Sequence, residues 1–273
     1  MPDVTSPWRE IGDGVFVRHY RFFEQNIVAV VDRGQALVVD TRSTYRQARE
    51  LVDDLRALGA PTVAAVVNTH GHYDHAFGNR LFRPAAIWGH ERAVVMLGPA
   101  GGQRELAIRD LPRLARELDE VELDPPDRLF ADRAVVEVGG RLVEMRHLGR
   151  GHTDNDIVLT VVGADVVVAG DLLESGAAPY FGDGYPLDWP ATAAAILALT
   201  TERTVVVPGH GDLGGRGFVA QQAADIAAVV DLARRVHGGG LDLEAAVAAS
   251  PFRPEQSREP IERALAQLRG ELA

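Results

Sequence analysis

The chain of 273 residues contains no cysteine and no lysine. Without cysteine there is no disulfide framework, no thiolate zinc site, no iron–sulfur cluster and no cysteine nucleophile. Without lysine there is no amine for Schiff-base or P-loop chemistry, and all 28 basic residues are arginine. Positive charge is also scarce: the net charge of −11 argues against a nucleic-acid binder, which needs a basic footprint to collect phosphates. No apolar run is long enough to span a membrane. The N-terminus, MPDVTSPWRE, has no basic segment followed by an apolar stretch, so no signal peptide is expected and the cytoplasm is the expected compartment. The composition, 46% hydrophobic and 25% charged, is that of an ordinary globular protein with ample length for a core.

The chain alternates between β-rich and helical stretches. Val15–Tyr20, Asn26–Val31 and Ala36–Asp40 read as a strand meander, with Arg21–Gln25 and Asp32–Gln35 as the gaps. Ser43 is the expected cap of a helix reaching about Leu58, on the three- and four-residue spacing of Ala48, Leu51, Val52, Leu55 and Leu58. Thr62–Val67 is a buried strand leading into a polar loop, Asn68–Asn79. A short strand at Ala85–Trp88 precedes a broken helical region, about His90 to Leu118. A second β-rich stretch comprises Ala134–Val138, Arg141–Leu148, Ile157–Val162 and Val166–Ala169. Helix is expected over Asp188–Leu199, strand over Thr204–Val207, then helices over Phe218–Val236, Leu241–Ala249 and Pro260–Leu268. Two β-rich halves, each followed by helices, predict an α/β protein with two sheets face to face and helices outside. Residues 1–237 form the expected main domain, and 238–273 a helical extension of it.

The nine histidines are not scattered. Three lie in Thr69-His70-Gly71-His72-Tyr73-Asp74-His75. Later strand ends carry His152 in Gly-Arg-Gly-His-Thr-Asp-Asn, Asp171 in Val-Ala-Gly-Asp and His210 in Val-Pro-Gly-His-Gly-Asp. In each case an apolar strand meets a glycine and then a side chain able to bind metal. Imidazole and carboxylate donors without thiolate suit zinc, and also iron or manganese. Alternate residues of an extended segment point the same way, so His70 and His72 can grip one ion while Asp74 and His75 face another. Seven donors are too many for one tetrahedral ion and suit two ions sharing a carboxylate.

The order His70-Gly-His72-Tyr-Asp74-His75, His152, Asp171, His210 resembles the metallo-β-lactamase superfamily from about Ile11 to His237. The resemblance implies the αβ/βα sandwich, two mixed sheets flanked by helices, with the metal site at one edge. It implies that His70, His72 and His152 hold one ion, Asp74, His75 and His210 the second, and that Asp171 bridges them. Asp40, ending a strand, resembles the family's aspartate that supports the histidine loop from behind.

Gly149-Arg-Gly-His152-Thr-Asp-Asn155 is similar to a stretch of one subclass of zinc β-lactamases. Those enzymes carry a cysteine at the position of Asp171, an arginine at His75 and a drug-anchoring lysine at Glu174. An acid there would repel an anionic substrate. The bridging aspartate is instead similar to glyoxalase II, lactonases and alkyl sulfatases. The expected activity is therefore dinuclear hydrolysis of an ester, thioester, lactone or amide by a metal-bridging hydroxide, with Asp74 as ligand and proton acceptor. The alternatives are a mononuclear iron enzyme similar to persulfide dioxygenases and a weak promiscuous β-lactamase. A small-molecule substrate is expected, with Tyr73, Trp88, Tyr180, Phe181, Tyr185 and Trp189 as candidate walls. The Gly176–Trp189 stretch should lie beside the substrate. Arg150 is a candidate anion contact, or else an exposed salt bridge. His19, His90, His147 and His237 read as structural or surface residues.

Overall fold

The computed structural model describes residues 7–272, so the opening MPDVTS of the segment read for a leader lies outside the described residues. Among the described residues, twelve strands make two leaves. The first runs β1 (Arg9–Gly12), β2 (Val15–Tyr20), β3 (Gln25–Asp32), β4 (Gln35–Val39), β5 (Thr62–Val67), β6 (Ala86–His90) and β7 (Arg128–Phe130). The second contains β8 (Arg133–Val138), β9 (Arg141–Arg146), β10 (Val158–Val161), β11 (Val166–Glu174) and β12 (Val205–His210). In each leaf antiparallel pairs give way to parallel ones, at β4 and at β11. The expected two sheets are therefore present, joined along one edge by a rung between Gln25 of β3 and His210 of β12.

Side-chain alternation explains the layering. Val28, Val30, Leu37, Val39, Ala65 and Val67 point inward and meet Val143, Met145, Leu159, Val161, Val166, Val168 and Val207 of the opposite leaf. Their neighbours Ile27, Ala29, Ala36, Val38 and Val66 point outward onto α1 (Tyr45–Ala57). Val167, Ala169 and Val206 likewise face the helices behind the second leaf. A fully buried valine or leucine contributes about 1.5–3 kcal/mol, whereas a hydrogen bond nets about 1 kcal/mol. The apolar seam, not the single rung, holds the leaves together.

The helices are α1, α2 (Tyr73–Ala76), α3 (Ala93–Met96), α4 (Gln103–Asp110), α5 (Ala115–Asp119), α6 (Trp189–Ala198), α7 (Arg216–His237), α8 (Leu243–Ala248) and α9 (Arg258–Leu268). The cap of α1 falls one residue later than expected: Thr44 Oγ1 accepts from Gln47 N at 3.3 Å, while Ser43 N donates to Gln47 Oε1. Strand β11 runs five residues past Ala169, because Gly170 forms a bulge (φ 55°) rather than a turn and Leu172 and Leu173 continue the buried pattern. Strands β1 and β7 were not expected. Each is short, and partner strands rather than apolar period define them. Helices α8 and α9 pack on α7 through Val229, Leu232, Ala233, Ala246, Ile261, Ala264 and Leu265. No described helix is long and apolar enough to cross a membrane.

Candidate metal centre

Strand β5 delivers the chain to Asn68–His72, and the single turn of α2 then carries Asp74 and His75. His152 sits in the loop between β9 and β10, Asp171 inside β11 just after its bulge, and His210 at the end of β12. Gly209 has a specific reason: a Cβ there would overlap Asp171 Oδ1, so only glycine lets β12 pass the carboxylate. These segments bring all seven sequence-predicted residues together in two adjoining groups. One is His70, His72, His152 and Asp171; the other is Asp74, His75 and His210.

In the first group His72 Nδ1 lies 3.0 Å from His70 Nε2 and 2.8 Å from His152 Nε2. Asp171 Oδ2 lies 3.8 Å and 3.6 Å from those two Nε2 atoms. In the second, His75 Nε2 and His210 Nε2 are 3.2 Å apart, and Asp74 Oδ2 is 3.3 Å from each. Asp171 closes this group too, with Oδ1 3.3 Å from His75 and Oδ2 3.3 Å from His210. Bonds of about 2.0–2.1 Å around a tetrahedral ion put neighbouring donors roughly 3.3 Å apart. The donor set fits two such ions.

Every outer imidazole nitrogen meets an acceptor. His70 Nδ1 faces Thr69 Oγ1 (3.1 Å), His72 Nε2 faces Asp183 Oδ2 (2.8 Å) and His75 Nδ1 faces Asp40 Oδ2 (2.8 Å). His152 Nδ1 faces the Tyr180 carbonyl (3.1 Å) and His210 Nδ1 the Phe23 carbonyl (2.7 Å). With each outer nitrogen placed to donate, five inward nitrogens converge and can offer their lone pairs to cations. Asp171 Oδ1 is also buried and accepts no hydrogen bond.

Asp40 takes its position through a left-handed backbone (φ 68°), shared by Arg42 (φ 69°). Such a conformation costs about 1–3 kcal/mol. Asp40 offsets it by accepting from Thr69 N, Thr69 Oγ1 and His75 Nδ1, each at 2.8 Å, since bonds to charged groups contribute about 1.5–3 kcal/mol apiece. The aspartate thereby fixes both ends of the histidine loop.

The groups of the centre set one another's protonation. Burial disfavours charge on His75 and His210, yet the Asp171 and Asp74 carboxylates hold both well above the usual imidazole range. Burial and the neighbouring His75 keep His70 well below that range, and burial with His72 brings His152 down to about 4. Asp74 and Asp171 are held well below the usual carboxylate range: burial opposes this, but His75 and His210 outweigh it. Burial and the nearby Asp171 push Glu174 up to about 8.

A cleft of about 440 Å³ opens over both groups, walled by Phe23, Tyr73, Leu106 and Tyr180, with Glu24, Asp110 and Glu174 as further carboxyls. Among the expected walls, Tyr73 and Tyr180 line it. Phe181 and Trp189 are buried behind β11, and Trp88 packs between the leaves. Arg150 stacks on Tyr185 at 4.3 Å and pairs with Asp188 at 2.9 Å, so its role is the salt bridge. His90 and His147 stack on each other 4.3 Å apart, away from the centre. Sequence reading missed Asp183, Phe23 and Gln25. A local motif marks none of them, because each reaches its partner across at least 49 residues of chain.

A family model described as the metallo-beta-lactamase superfamily matches residues 20–210. The type 2 metallo-beta-lactamase of Bacillus cereus is 25% identical over 195 residues, covering 70% of this chain and 68% of that protein. The acyl-coenzyme A thioesterase MBLAC2 of Gallus gallus is 25% identical over 236 residues, 76% of this chain and 81% of its own. The structure of a metallo-beta-lactamase from Pontibacter korlensis superposes with a TM-score of 0.64 at 18% identity, covering 82% of this chain and 99% of that one. That likeness speaks to the fold.

Proposed function

Because the chain belongs to the metallo-β-lactamase superfamily and is a metal-dependent hydrolase, we propose that its centre holds two ions, zinc first among the candidates. His70, His72 and His152 would bind one, Asp74, His75 and His210 the other, with Asp171 shared. The convergence of five inward imidazole nitrogens, each oriented by an outer acceptor, carries this reading. Ions bound there supply polarisation of an acyl carbonyl and ionisation of a water at neutral pH.

The chain's own residues do the rest. Asp74 lines the cleft and lies against both His75 and His210, so it would accept and hold the proton of the attacking water. Phe23, Tyr73 and Tyr180 shield the reacting carbonyl from bulk solvent. Glu24, Asp110 and Glu174 line the cleft, and among the described residues no arginine does. In either protonation state Glu174 offers no positive charge to a substrate carboxylate. The cleft therefore suits an ester or thioester whose acyl group carries no carboxylate better than a carboxylate-bearing β-lactam, and the thioesterase relative supports a thioester. The apolar seam of α8 and α9 on α7 supports reading 238–273 as an extension of the same domain.

Metal analysis and a substrate panel test the proposal. About two zincs per chain, with thioester or ester turnover exceeding benzylpenicillin turnover, is the expected result. One iron per chain with no hydrolysis would favour the mononuclear redox reading instead.

A further inference from the structure

The second ligand group straddles the joint between the leaves. Asp74 and His75 come from α2 on the first leaf, while His210 ends β12 on the second. Their donor atoms lie 3.2–3.3 Å apart. Ligand geometry of this kind tolerates displacements of only about 0.5 Å, so something must fix the leaves locally.

Four consecutive residues, Phe23–Asn26, do. The Phe23 carbonyl accepts from His210 Nδ1 at 2.7 Å, and the Glu24 carbonyl from Gly211 N at 2.8 Å. Asn26 Nδ2 donates to the carbonyls of Pro208 (3.0 Å) and Gly211 (2.8 Å). Phe23 and Glu24 both hold a left-handed backbone (φ 63° and 51°) to present these carbonyls. Those contacts tie the segment to the His210 turn. Gln25, 1% exposed, adds the tie to the other side: its backbone pairs with His210, and its Nε2 donates to the Asp74 carbonyl at 2.6 Å. A one-turn helix leaves most of its carbonyls without internal partners; within α2 the Tyr73 carbonyl is taken by Phe77 N, and this bond takes up that of Asp74, at the ligand itself.

The geometry points to Gln25 as a positioning residue that sets the separation of Asp74 and His75 from His210, and so tunes the second ion's site. This rests on the two-ion reading. The first group is orientated by Thr69, Asp183 and Tyr180 instead, and should be indifferent to the change.

The test is a stepwise zinc and cobalt titration of the full-length Gln25→Met protein, which keeps side-chain volume but loses the donor, with Gln25→Glu as a second variant. The second dissociation constant should rise about ten- to hundredfold while the first stays within about twofold of wild type, and the cobalt absorption bands of the second step alone should change. In the ion-free protein, amide exchange of the peptide spanning Tyr73–Phe77 should accelerate. Unchanged steps, or equal loss in both, would overturn the inference. If wild type binds a single ion, the two-ion reading fails, and the exchange experiment decides the positioning claim: unaltered protection overturns it too.

Discussion

Replacing Asp183 by asparagine isolates a charge. The variant keeps an acceptor oxygen facing His72 Nε2 but removes the carboxylate that now lies 2.8 Å from it. That carboxylate is what overcomes burial and raises His72 above its ordinary imidazole range, and the same field makes the inward Nδ1 a better donor to a cation. A hydrogen bond to a charged group contributes about 1.5–3 kcal/mol, or roughly ten- to hundredfold in affinity at 1.4 kcal/mol per decade. The Asp183 side chain is 37% exposed, so water screens it and the lower end, about tenfold, is expected. The assay is competition against a chromophoric chelator at fixed pH and salt, read as two zinc dissociation constants. The first should weaken and the second should not, because His75 and His210 rest on Asp40 and the Phe23 carbonyl. Superimposable curves, or equal loss in both steps, would refute the reasoning. The loop bearing Asp183 is itself held by α9, through Arg263 Nε on the Gly184 carbonyl (2.9 Å) and Gln267 Oε1 on Leu187 N (2.8 Å).

Asp74→Asn should retain most of the metal yet lose about 10²–10⁴-fold in turnover; near-normal kcat in the zinc-loaded variant would remove Asp74 as proton acceptor. Glu174→Lys places a cation in the cleft, and should raise kcat/KM for benzylpenicillin relative to a neutral ester by about tenfold, a change of roughly 1.4 kcal/mol; an unchanged ratio would sink the charge argument. The ion-free protein should become less stable as pH rises above about 6.5, the unfolded imidazole value. His75 and His210 are raised on folding, so their contribution is complete below that pH and is lost as pH climbs through their folded values. Glu174, pushed up to about 8, and Asp156, which accepts from Thr153 beside His152 and is pushed up to about 8 by its burial, act in the same direction. A urea midpoint that increases between about pH 6.5 and 8.5 would contradict this.

How much of this was legible in the chain depends on the range of the interaction concerned. The histidine loop and the two leaves rest on local signals: alternating apolar strands, and metal-binding residue types after them. The strand ends were less legible, because Gly170-Asp171 and Pro208-Gly209 read as turns while the structure keeps both inside strands. Glycine there serves close backbone approach, at the bulge and beside Asp171 Oδ1. Phe23, Glu24 and Gln25 read as part of the gap Arg21–Gln25 between strands, since the Phe23 and Glu24 contacts are made by carbonyls, which carry no sequence signature. Phe181 and Trp189 read as cleft walls on proximity to Asp171, but Phe181 in the loop after β11 and Trp189 at the start of α6 are fully buried against each other (ring centroids 4.8 Å) and against Leu172 and Leu173.

The missing cysteine acquires a structural reason at Asp171. A thiolate offers one donor atom, whereas the Asp171 carboxylate offers two, and the structure uses both. Oδ1 addresses His75, while Oδ2 lies within 3.3–3.8 Å of His70, His152 and His210. A side chain serving two groups at once must be held rigidly, and β11 supplies that rigidity by pairing with β12 on one side and β10 on the other. The bulge at Gly170 then turns the carboxylate toward the histidine loop, where Thr69 packs so closely that a Cβ at position 170 would press on its side chain. The choice of aspartate, the two glycines beside it and the placement of the site at the joined edge of the leaves are thus one arrangement, in which each feature is required by the others.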